Sequence, residues 1–188
     1  EVKGQTYLIE SCRLLRERGI NFVCQLVGDG PDEAALTRQI AQARLSERVR
    51  LLGRQTREQV VELLAQADVA VTPSIPTKNG RREGIPVVLM EAMGSGVPVV
   101  ASNLSGIPEL VEHERSGLLV PPGDTQALAD ALERLYLDLA LCQRLGRGGR
   151  EKVLREFDLR LNAAALRQRF SQEDRRPCAL SCSGARKR

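Results

Sequence analysis

At 188 residues the chain is about one domain long and can bury a sizeable single core. Of its net charge of +4, +3 resides in residues 171–188, which hold five basic and two acidic residues. The remainder has 23 basic against 22 acidic residues and no Trp, so it offers no face for nucleic acid. Five scattered cysteines (Cys12, Cys24, Cys142, Cys178, Cys182) without a CxxC pair speak for reduced thiols over a disulfide frame or zinc site. No signal peptide is recognised, and no apolar run approaches the ~20 residues of a membrane span, so the chain reads as soluble.

The first residues lead into a helix of about four turns with apolar positions at Tyr7, Leu8, Cys12, Leu14 and Leu15, closed by Gly19. Residues 21–27 read as a buried strand, and the turn Gly28-Asp29-Gly30-Pro31 feeds a helix over 32–43. A strand over 49–52, a helix capped by Thr56 and running to 67, and a strand over 69–72 follow. Residues 74–80 are a breaker-rich loop, and 87–93 form a helix that is apolar nearly all round and is expected to be buried. Then come a strand over 97–101, a short helical turn over 107–111 and a last strand over 117–120. The turn Pro121-Pro122-Gly123-Asp124 starts a long helix with Leu128, Ala131, Leu132 and Leu135 on its stripe, a further helix runs from about 139 to 157, and a final one covers 159–170. Residues 171–188 turn polar and basic and are expected to be disordered. Strand and helix alternate, which predicts an α/β fold with a Rossmann-like parallel sheet covered by helices on both faces.

The clearest chemistry lies between Glu83 and Gly96. Pro86 offers the favoured first residue of the central helix, whose unpaired N–H groups and positive dipole end suit an anion. Glu83 before the helix and Glu91 inside it cannot attract phosphate, but they can accept hydroxyl protons. A ligand with diphosphate in the middle and sugars at both ends satisfies all of these groups. Taken alone, Glu91 could instead pair with an arginine such as Arg54, and Glu83 could be a solvated carboxylate beside Arg81 and Arg82.

Glu83, seven residues, Glu91 and then Gly-Val-Pro-Val-Val-Ala-Ser over 96–102 resemble the donor-binding half of a family 4 retaining glycosyltransferase, one half of a GT-B architecture. The resemblance covers roughly residues 2–170, as one nucleotide-sugar-binding domain that begins after the family's first strand. It implies transfer of a sugar from a nucleoside diphosphate donor to an acceptor hydroxyl with retention of configuration, in polysaccharide or glycoconjugate biosynthesis. By resemblance, Lys3 and the segment Gly84, Ile85, Pro86, Val87 and Val88 face the diphosphate and the transferred sugar, Glu83 is the carboxylate at that sugar, and Glu91 holds the ribose. Gly53 and Arg54 match the loop near the base. Gly94 departs from the family's usual Ala and is expected to let the central helix fray early.

No cofactor and no metal are expected, since the loops show no Asp-x-Asp cluster. The implied partners are the nucleotide-sugar donor and an N-terminal acceptor domain absent from this chain, without which little transfer is expected. The implied location is the cytoplasm, with peripheral attachment of the full-length protein to the inner face of a membrane left open. His113, in a polar run, reads as a surface residue. Two alternatives stay open, a nucleotide-sugar epimerase-like domain and a non-catalytic nucleotide-binding or assembly module. A dehydrogenase is the weakest rival, because the dinucleotide glycine fingerprint is missing.

Overall fold

The computed structural model describes residues 2–77, 79–80 and 83–173. The elements alternate as anticipated, from α1 (Gln5–Glu17) through β1 (Cys24–Val27), α2 (Glu33–Gln42), β2 (Val49–Gly53), α3 (Arg57–Ala65) and β3 (Ala70–Thr72) to α4 (Val87–Gly94). They continue with β4 (Val99–Ser102), α5 (Ile107–Leu110), β5 (Leu118–Val120), α6 (Thr125–Leu137), α7 (Leu139–Glu156) and α8 (Leu159–Glu173). Local chemistry explains several ends. Thr56 and Gln59 form a reciprocal capping box on α3, while Asp124 and Asp138 accept from the N–H groups of Ala127 and Leu141 at the starts of α6 and α7. Gly19, at φ +77°, takes the left-handed turn that follows α1.

All strand pairs are parallel, but the expected single sheet is hydrogen-bonded in two pieces, β1-β2 and β3-β4-β5. The chain lays down β2 beside β1, then restarts at β3 and proceeds through β4 to β5. Boundaries of this kind are where open α/β sheets bind ligands, outside the carboxyl ends of the strands. One core cluster spans both pieces, joining Leu26 and Leu51 to Val100, Leu118 and Val120 under α1 and α6. The opposite face packs Leu89, Ala92 and Met93 of α4 against Val99, Ala101, Ile107 and Leu110. Strand β4 lies between the two clusters and is buried along its whole length.

Helix α7 seats unusually close to its neighbours. A Cβ on Gly146 would fall 2.2 Å from the carbonyl oxygen of Gly96, and one on Gly148 would fall 2.1 Å from that of Arg115. Only glycine permits that approach. Beside it Lys152 is buried and donates to Glu112 Oε1 at 2.8 Å, and it pairs with Glu156 Oε2 at 2.5 Å.

Several expectations need correction at their edges. Strand β1 starts at Cys24 rather than at residue 21, and β4 starts at Val99, after Pro98, which has no N–H for the ladder. Helix α8 continues to Glu173, past the point where order was expected to end, while residues 174–188, with Cys178 and Cys182, lie outside the described residues. Cys12 is buried, Cys24 and Cys142 are half-buried, and all three are free thiols. Among the described residues no helix is long and apolar enough to cross a membrane.

Candidate functional site

Two short segments build the floor of the cleft. Residues 2–4 lie alongside residues 73–75, tied by the Ile75 N–H donating to the Val2 carbonyl at 2.9 Å. Gly4, at φ +68°, lies so close to Pro73 that a Cβ would come within 1.8 Å of its carbonyl oxygen. Lys3 and Ser74 are thereby fixed next to each other. Glu83 then reaches both, its Oε1 pairing with the Lys3 ammonium and its Oε2 accepting from the Ser74 hydroxyl at 2.5 Å. The two groups the resemblance placed at the donor, Lys3 and Glu83, are thus brought together from 80 residues apart.

Helix α4 opens above this pair. Pro86 is its N-cap rather than its first helical residue, with φ −65° and ψ 127°, and its carbonyl accepts from Leu89 N–H at 3.0 Å. The start moves by one residue because an extended ψ at Pro86 turns the loop into the helix. The N–H groups of Gly84, Ile85, Val87 and Val88 have no partner among the described residues. Pro86 has no N–H to offer. Four N–H groups without a partner among the described residues thus flank one helix N-terminus, the kind of end at which anions bind.

The expectation of a fully buried α4 fails in its first turn. Val87 is 62% exposed and Val88 37%, whereas Leu89, Ala92 and Met93 are fully buried. An apolar run does not say which side meets solvent, and here the side that carries the free amides is open. Ile85 turns the other way, half-buried against Gly106. Glu91 is half-buried and its carboxylate has no hydrogen-bond or ion-pair partner among the described residues. Arg54, its candidate structural partner, lies instead 3.6 Å from Asp29 and is strongly exposed. That contact and the Gly28 N–H bonding the Gly53 carbonyl at 2.8 Å bring the 28–29 and 53–54 loops together at the carboxyl ends of β1 and β2.

Gly94 does not fray α4. The Ser95 hydroxyl donates to the Glu91 carbonyl and Arg150 Nη1 to the Gly94 carbonyl, both at 2.9 Å, which closes the helix C-terminus. His113 is exposed, and its Nδ1 accepts from Leu119 N–H at 3.0 Å, a structural bond away from the cleft. Ser74 went unnoticed in the sequence because nothing in a breaker-rich loop foretells a partner nine residues on. Beside Gly4 a cavity of about 170 Å³ opens toward Thr6, Tyr7, Asp32 and Ile75. It is smaller than the ~300–1,000 Å³ of an enclosed ligand pocket. Among the described residues no three His, Cys, Asp or Glu side chains converge to hold a metal ion.

Comparison with known proteins bears on the family and the fold. The family described as "Glycosyl transferases group 1" matches residues 1–152. The amylovoran biosynthesis glycosyltransferase AmsK of Erwinia amylovora is 44% identical, over 84% of this chain and 39% of its own length. The putative colanic acid biosynthesis glycosyltransferase WcaL of Escherichia coli K12 is 43% identical, again over 84% of this chain and 39% of its own. This chain thus spans about two fifths of each of these two relatives.

Among solved structures, sucrose-phosphate synthase from Thermosynechococcus elongatus superposes with a TM-score of 0.80 at 30% identity, covering 91% of this chain and 42% of that one. Anabaena Alr3699/HepE in complex with UDP does so with a TM-score of 0.80 at 28% identity, covering 91% and 46%, and that protein has also been solved with UDP-glucose. These neighbours are GT-B glycosyltransferases, and the chain covers less than half of each. With most of its length matched by the family and its fold shared with these enzymes, the chain belongs to the glycosyl transferases group 1 family.

Proposed function

We propose that the chain is the donor-binding half of a glycosyltransferase that moves a sugar from a nucleoside diphosphate to an acceptor hydroxyl, with retention, in polysaccharide or glycoconjugate biosynthesis. The observation that carries the reading is the run of four N–H groups at the start of α4 with no partner among the described residues, directly after Glu83, which itself pairs with Lys3. Departure of a nucleoside diphosphate builds negative charge on its phosphates, and fixed dipoles aimed at that charge stabilise it without reorganising. The amides of Gly84, Ile85, Val87 and Val88 and the Lys3 ammonium supply that field in this reading, with no metal invoked. Glu91, half-buried and unpartnered, accepts from the ribose hydroxyls, and Glu83 accepts from a hydroxyl of the transferred sugar. Gly53 and Arg54 border the base.

The names of AmsK and WcaL support a role in polysaccharide biosynthesis, and the UDP and UDP-glucose complexes of the Anabaena protein support a nucleotide-sugar donor. The acceptor then belongs to a second domain facing the cleft. In this reading the whole enzyme works in the cytoplasm. A thermal-shift titration with UDP, GDP, ADP and NAD tests the reading. A ligand at a hundredfold excess over its Kd adds about 2.7 kcal/mol. One nucleoside diphosphate should stabilise the parent, and both Lys3→Ala and Glu91→Ala should blunt the shift. Stabilisation by NAD alone would contradict it.

A further inference from the structure

We infer that Ser74 is a positioning residue for Glu83, and through it a determinant of how the transferred sugar is held, an inference that rests on the donor-site reading above. Ser74 is 1% exposed, so its hydroxyl has no bulk water to turn to. Its one side-chain partner among the described residues is Glu83 Oε2, at 2.5 Å. A bond of that length from a hydroxyl to a carboxylate falls in the charge-assisted range. The serine cannot shift to follow the glutamate, because the Ile75–Val2 bond fixes the backbone on one side and the contact between Pro73 and Gly4 fixes it on the other.

The two oxygens of Glu83 therefore have different roles. Oε1 faces Lys3, an exposed ammonium, whereas Oε2 faces the buried hydroxyl. When Lys3 turns to a phosphate, Oε1 is released to accept from a sugar hydroxyl, and Ser74 keeps the carboxylate in place. Without Ser74 the loop glutamate keeps its charge but loses its fixed rotamer. The consequence is confined to the sugar, and the diphosphate is held by groups that Ser74 does not touch.

Titration calorimetry on the full chain separates the possibilities, with UDP, UDP-glucose, GDP and GDP-mannose as probes. The quantity read is the ratio of Kd for a nucleoside diphosphate to Kd for its sugar form, in the parent, Ser74→Ala, Glu83→Ala and the double variant. Ser74→Ala should lower that ratio about fivefold, as expected for one lost hydrogen bond of ~1 kcal/mol, and leave plain nucleotide affinity unchanged. In the Glu83→Ala background it should do nothing further. Equal losses on nucleotide and sugar nucleotide, or the same loss with Glu83 already removed, would overturn the positioning role while leaving the donor site intact. If Glu83→Ala itself leaves the ratio unchanged, or none of the four probes binds the parent, the donor-site reading fails and this one with it.

Discussion

The carboxylates around Lys152 and the lone carboxylate of Glu91 stand in opposite conditions. Glu112 and Glu156 close around Lys152, which donates to the first at 2.8 Å and pairs with the second at 2.5 Å, and every charge there has its counter-charge. In the cleft Glu91 has no partner among the described residues, and the amides that open the same helix are unbonded. A closed ionic cluster next to close-packed glycines is what holds a helix in place. Unpaired acceptors and donors on a half-open face are what a ligand completes, since polar groups removed from water are costly until bonded.

The comparison breaks first, and hardest, on the brace side. Gly148→Ala drives a methyl to within 2.1 Å of the Arg115 carbonyl oxygen, a backbone atom that cannot swing aside. Urea denaturation should show a loss of about 3 kcal/mol, at the upper end of what overpacking ordinarily costs. Lys152→Met should follow with about 1–2 kcal/mol, as two half-exposed carboxylates lose a buried donor.

The same variant sharpens the pH dependence. Lys152 holds both Glu112 and Glu156 below their ordinary value of 4.5. Their contribution is therefore fully present above pH 4.5 and is lost as pH falls through the lowered folded values. Lys152 itself is raised above 10.5 by its bonds to the two glutamates, so its share is present below that pH and is lost as pH rises through the raised value. Melting temperatures measured from pH 3 to 6 should fall less steeply on the acid side in Lys152→Met than in the parent.

Within α4 the effects on stability shrink. Gly94→Ala should stabilise by ~0.5–1 kcal/mol, because a helical Cβ there meets only Val153 Cγ1 at an ordinary 3.9 Å. Glu91→Gln should move stability by less than ~0.5 kcal/mol, as nothing among the described residues pairs with it. Its effect belongs instead to the nucleotide, where about a tenfold loss of affinity is expected by calorimetry. A large stability loss in Glu91→Gln would mean that the carboxylate is structural after all.

Period and punctuation made the order of elements legible. Glycine after α1, the capping box of α3 and the Asp-led starts of α6 and α7 are local signals, and each element lies where those signals put it. Contacts between distant residues were not legible in the same way. Gly146 and Gly149, one helical turn apart, do mark a small face on α7, but nothing in the sequence ties that face to Gly96 and Ser116. The Lys152–Glu156 spacing is visible, whereas Glu112, 40 residues away, is not. At the candidate site, resemblance singled out Glu83 and Lys3, which the structure pairs with each other, while Ser74 emerged only once segments 2–4 and 73–75 were seen side by side. The outward turn of Val87 and Val88 escaped because an apolar stretch carries no label for the side a ligand needs open.

The central claim is that the start of α4 holds a diphosphate. Nitrogen–proton correlation spectra of the labelled chain, recorded as the best-binding nucleoside diphosphate is added, test it most directly. The amide signals of Gly84, Ile85, Val87 and Val88 should shift together and saturate with one dissociation constant, and Lys3→Ala should weaken that constant. Saturable binding that leaves those four amides unmoved and shifts another set, such as the 28–32 turn, would contradict the account.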